Sequence, residues 1–163
     1  MNHLEFILEA YNEAELNSLN GFEEGGPFGA IIVKDEMIIG RGRNTVLSNH
    51  NPIAHAEITA IEDACKSLKT HDLTGCILYT SCYPCPMCLS AIIWSNIKEV
   101  YYGNTKEDAA DIGFRDNMIY NTINNILKNK EKYNKDVLKL CQIGRDKTIK
   151  TFETFKNNNG TLY

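Results

Sequence analysis

Apolar strands and amphipathic helices alternate between Ala30 and Tyr102, and this rhythm restricts the chain's fold more than any other feature. Ala30-Ile31-Ile32-Val33 and Met37-Ile38-Ile39 flank Lys34-Asp35-Glu36, which predicts two antiparallel strands joined by a short loop. Ile61, Ala64, Cys65 and Leu68 then recur at three- and four-residue spacing and predict a helix beginning near His55. Cys76 to Thr80 is an almost continuous apolar run, read as a strand buried on both faces. Leu89 to Trp94 reads as a largely buried helix, and Glu99 to Tyr102 as a further strand. Strands separated by helices of this length pair as parallel neighbours through crossovers, so the fold class is α/β. Val137 to Ile143 is expected to add a fifth strand.

The flanks complete the outline. Leu4, Ile7, Leu8 and Tyr11 share one helical face, predicting a first helix over 3–19. Glu24 to Gly29 is too rich in glycine for a helix and reads as a shaped turn into the first strand. Ile119, Ile123 and Leu127 mark an amphipathic segment over 115–128, 130–136 is a polar connector, and Ile149, Phe152 and Phe155 predict a last helix. A chain of 163 residues fits one domain, since single cores are usual at roughly 100–200 residues. No apolar run approaches the ~18 residues of a membrane helix, and the first residues lack a signal-peptide pattern, so a cytoplasmic protein without a membrane partner is expected. The net charge of -4 gives no general attraction for nucleic acid. In a reducing compartment, the six cysteines read as thiols, metal ligands or apolar core residues rather than as disulfides.

Three of them, Cys82, Cys85 and Cys88, fall in one short stretch. Zinc takes four ligands, often thiolate and imidazole, and a catalytic site keeps one position for water. Cys85 and Cys88 at the start of one helix and His55 at the start of another supply three such ligands. In neighbouring strand-helix units both helix starts open at the same sheet edge. Cys82 and Cys85 repeat the same spacing and form the competing pair; Pro84 directly before Cys85, and the helix start, favour Cys85 with Cys88. Cys65, Cys76 and Cys141 lie in apolar patterns and are expected in the core. Glu57, two residues after His55, is placed to move protons without being a ligand. His-x-Glu followed by Pro-Cys-x-x-Cys is the pattern of zinc-dependent nucleobase deaminases, and His55-Ala56-Glu57 with Pro84-Cys85-Pro86-Met87-Cys88 fulfils it.

Beyond these motifs, Gly25-Gly26-Pro27-Phe28-Gly29-Ala30, Asn44, Tyr79-Thr80-Ser81-Cys82, Trp94, Gly113-Phe114-x-Asp116 and the terminal Tyr163 resemble the cytidine deaminase superfamily, and within it the bacterial guanine deaminases. The resemblance implies a three-layer sandwich with a central five-stranded mixed sheet. It also implies substrate contacts from Asn44, Phe28, Ala56, Trp94 and Tyr163, and Asp116 acting beside Glu57 in proton movement or orientation of the amine. It implies a homodimer as well, in which 130–163 serves as a lid or crosses to the partner subunit. Read as residues alone, Asn44 also suits a turn, Asp116 a helix cap and Trp94 a core position. Tyr83 departs from the superfamily, which commonly has Glu before this Pro-Cys.

The function expected is zinc-dependent deamination of guanine to xanthine and ammonia. A tRNA adenosine deaminase and a pyrimidine deaminase share the metal motif and are the alternatives. A zinc-binding module without turnover is the reading outside enzymes, and it leaves Glu57 unexplained.

Overall fold

The computed structural model describes residues 2–128, 137–138, 140–158 and 161. The chain divides into two compact units, residues 1–120 and 121–163. The first begins with helix α1 (His3–Leu19), followed by the hairpin β1 (Gly29–Lys34) and β2 (Met37–Arg43). Helix α2 (Ala56–Leu68), strand β3 (Ile77–Cys82), helix α3 (Pro86–Trp94) and strand β4 (Glu99–Asn104) continue the alternation. Two further helices, α4 (Lys106–Asp111) and α5 (Asp116–Lys128), come next, and α6 (Arg145–Asn157) lies in the second unit.

The sheet has four strands in the order β2-β1-β3-β4. β1 is antiparallel to both β2 and β3, and β3 is parallel to β4. β2 and β3 therefore run the same way on either side of β1, and their C-terminal ends share one edge with the start of β1. The expected fifth strand is absent from the described residues of 137–143. Val137, Leu138, Leu140 and Ile143 are exposed there, and Cys141, expected in the core, is exposed too. An apolar run becomes a strand only where a sheet edge and covering layers are available to it, and the described part of this one joins no ladder.

β1 shows how the period of two builds both layers. Ala30 and Ile32 enter a core with Leu78 of β3, Ala56, Ala60 and Ala64 of α2, Ile92 of α3 and Leu73 from the connection after α2. Ile31 and Val33 pack on the other face with Ala10 and Tyr79, where Phe6, Ile7 and Tyr101 cover them. Cys76 sits in the first core and Cys65 packs against it. α3 is less enclosed than its apolar sequence suggested, since Ile93 and Trp94 at its end are 73% and 67% exposed.

α2 lies almost directly on the β2 backbone. A Cβ at Gly42 would stand 2.3 Å from the Ala56 carbonyl oxygen and 2.4 Å from the Ala60 nitrogen. Neither atom can move without shifting the helix. Gly42→Ala is expected to cost about 1–3 kcal/mol, the usual scale of overpacking. A thermal melt should read this as a fall in Tm of several degrees, and an unchanged Tm would refute the tight contact.

Candidate active site

The shared sheet edge carries the site. His55 is the N-cap of α2 and Cys85 the N-cap of α3, with Pro86 in the first turn, where its missing N–H costs nothing. The connection before Cys85 is tied down by Tyr120, whose hydroxyl donates to the Pro84 carbonyl at 2.6 Å. His55, Cys85 and Cys88 thereby converge, and their ligand atoms all lie within 4.8 Å of one another. His55 Nδ1 is 3.6 Å from each sulfur, and the two sulfurs are 3.6 Å apart. One imidazole and two thiolates are a donor set that suits zinc with a fourth position left for water. Cys82 turns elsewhere, its Sγ lying 3.5 Å from the Thr105 carbonyl oxygen.

Glu57 stands behind this cluster, only 6% exposed. One carboxylate oxygen accepts from the Thr80 hydroxyl at 3.0 Å, and the other is 3.4 Å from Cys88 Sγ. Burial pushes its carboxyl above the usual range, the direction that suits a group exchanging protons near neutrality. Contact with Cys88, then with His55, holds the Cys85 thiol down to about 4, whereas facing Cys85 and burial push Cys88 up. Contact with Cys85 raises His55. Burial, and then the charge of Cys85, raises Asp116.

A cleft of about 380 Å³, its open mouth included, lies in front of the cluster. Phe28, Asn44, His55, Glu57, Cys82, Tyr83, Cys85, Phe114 and Asp116 line it. Phe28 and Phe114 meet edge to face at 4.8 Å, and Tyr83 packs against Tyr102 in the same manner at 5.0 Å. Of the expected substrate contacts, Phe28 and Asn44 reach the cleft. Ala56, the first residue of α2, is fully buried and does not line it, and Trp94 sits exposed at the far end of α3. Tyr163 lies outside the described residues. Phe114 and Tyr83 are cleft residues to which the sequence had attached no role. Their closeness to Asp116 and Cys85 along the chain was the available signal.

Residues 1–104 match the family model of the cytidine and deoxycytidylate deaminase zinc-binding region. The chain is 51% identical over 123 residues to the guanine deaminase of Bacillus subtilis, covering 76% of this chain and 78% of that protein. It is 40% identical over 111 residues to a tRNA-specific adenosine deaminase of Buchnera aphidicola, covering 67% of this chain and 74% of that protein. The X-ray structure of the Bacillus subtilis guanine deaminase superposes with a TM-score of 0.87 at 41% identity, covering 100% of this chain and 99% of that one.

Proposed function

The chain belongs to the cytidine and deoxycytidylate deaminase zinc-binding family, and on that premise we propose that it hydrolyses guanine to xanthine and ammonia. The observation that supports this is a buried carboxyl group, Glu57, lying against a His-Cys-Cys donor set at the wall of a cleft. The similarity to a guanine deaminase over most of both chains supports the choice of base.

His55, Cys85 and Cys88 would hold zinc, which would supply the Lewis acidity for hydrolysis at neutral pH. Glu57 carries protons between the attacking water and the departing amine, and Thr80 fixes the direction in which its carboxylate points. Phe28 and Phe114, packed edge to face, form one apolar wall for the base, and the Asn44 side chain meets its edge. Asp116, across the cleft from His55 and Glu57, orients the amine. Trp94 and Ala56 shape the site through the helices that bear them, and Tyr163 closes over the base. A cytoplasmic homodimer serving purine salvage, with 130–163 as its lid or exchanged segment, completes the proposal.

The 40% identity to a tRNA-specific adenosine deaminase defines the competing reading. Incubating the zinc-loaded protein with guanine, adenine, cytosine, their nucleosides and a tRNA anticodon stem decides between the two. Xanthine and ammonia from guanine, at rates well above those of the other substrates, is the expected result. Deamination of the tRNA alone, or of cytosine alone, would overturn the choice of base.

A further inference from the structure

Asn44 lines both the cleft and a wider open groove along Phe22, Gly25, Pro27 and Leu47, as His55 and Phe114 do. The Asn44 side chain is not free to present either end. Its Oδ1 accepts from the backbone N–H of Gly26 at 3.3 Å and of Val46 at 3.2 Å. Both partners can only donate, so the atom they meet is the oxygen and the amide cannot be flipped. The Nδ2 amine is left for the cleft and makes no hydrogen bond among the described residues.

The residue enforcing this lies on α1. Asn17 is fully buried, and its Nδ2 spends both hydrogens on carbonyls, Gly26 O at 2.8 Å and Asn44 O at 2.7 Å. Asn17, Gly26 and Asn44 thus form a closed ring of hydrogen bonds: α1 holds the glycine turn, the turn holds the Asn44 oxygen, and the Asn44 backbone returns to α1. Gly25 belongs to the same clasp, since a Cβ there would stand 2.2 Å from Asn44 Oδ1. Asn17 Oδ1 is buried with no partner among the described residues, a cost set against the two hydrogens its Nδ2 gives to Gly26 and Asn44.

We propose that Asn17 is a positioning residue which, by clasping Gly26 and Asn44, makes residue 44 a fixed hydrogen-bond donor that recognises one acceptor atom of the purine. This rests on the guanine reading above. In guanine the available acceptors are N3, N7 and O6, and 3-deazaguanine, 7-deazaguanine and 2-aminopurine each lack one of them.

The test measures kcat, KM and inhibition constants for these four bases on the zinc-loaded wild type, Asn17→Ala, Asn17→Ser and Asn44→Asp, with bound zinc determined for each. In the wild type one analogue is expected to bind about tenfold or more weakly than guanine, the scale of one lost hydrogen bond. In Asn17→Ala that penalty should shrink below about threefold, with KM for guanine raised about tenfold, kcat changed far less and zinc retained; Asn17→Ser, with a single donor, should fall between. Asn44→Asp keeps both backbone bonds but presents an acceptor, so it should lose the same discrimination even if the Asn17 variants do not fold.

Unchanged discrimination in a zinc-retaining Asn17 variant, or guanine binding by Asn44→Asp equal to wild type, would overturn the proposal. Failure of the guanine reading looks different. It appears in the wild type alone as absent guanine turnover, and the ratios between variants are then taken with the base that the wild type does deaminate.

Discussion

Glu57→Gln is expected to lower kcat by about a hundred- to ten-thousandfold while the protein keeps its zinc and its fold, the range that a positioned proton carrier contributes. The side chains have almost the same shape. A glutamine oxygen still accepts from the Thr80 hydroxyl at the place where the carboxylate does now, 3.0 Å away. What is lost is the ability to take up a proton and release it. Burial already raises the Glu57 carboxyl, so the protonated form is within reach during turnover, and an amide has no such form. Rate and metal content must be measured on the same preparation. Loss of both would make Glu57 a structural support of the metal site, and retention of full activity would remove it from the mechanism.

Losing a ligand should be at least as damaging, through a different route. Cys88 is fully buried, and Cys85, 7% exposed, stands beside it with Glu57 close by. Without a cation, two sulfurs and a carboxylate share a space where negative charge is poorly solvated; a divalent ion removes that conflict by holding both sulfurs as thiolates. Cys85→Ala and Cys88→Ala are each expected to abolish stoichiometric zinc binding and reduce activity by more than about a thousandfold, given that the nucleophile depends on the metal. Their melting temperature should also stop responding to zinc. Wild type should gain about 4 kcal/mol at a thousandfold excess of free zinc over its dissociation constant, and lose it to a chelator. Cys82→Ala is the informative contrast. Its sulfur faces Thr105, so zinc and most activity should survive. Equal zinc loss in all three variants would make Cys82 a ligand.

What could be read from the chain follows from how local each signal is. The apolar runs on either side of Lys34-Asp35-Glu36 and the three- and four-residue spacing after His55 are contained in a few residues, and these elements stand where those patterns put them. The ligand trio was legible for the same reason: Cys85 and Cys88 are neighbours on one turn, and His55 is a helix start in the preceding strand-helix unit. Helix α4 went unseen despite its own local mark. Thr105 and Asp108 form a capping box, with Thr105 Oγ1 accepting from the Asp108 N–H at 3.2 Å and the Asp108 carboxylate accepting from the Thr105 N–H at 2.7 Å. The errors came where hydrophobicity was taken for burial. Val137 to Ile143 has apolar residues and no strand among its described residues, and Trp94 has an apolar neighbourhood in sequence yet stands exposed. Neither outcome is decided by the segment itself, because burial depends on which distant surface is available to cover it.

The nearly bare contact of α2 with the β2 backbone at Gly42 has a consequence for how such a chain changes over evolutionary time. His55 and Glu57 ride on a helix whose height above the sheet is set by main-chain atoms, leaving no side chain whose trimming or growth adjusts it gradually. Phe28, Tyr83 and Phe114, which line the same cleft, instead come from irregular connections outside every helix and strand. Room for substitution is therefore unequal around a single cleft. The side that bears His55 and Glu57 is tied to main-chain contacts, and the side that bears the aromatic residues can be reshaped one side chain at a time.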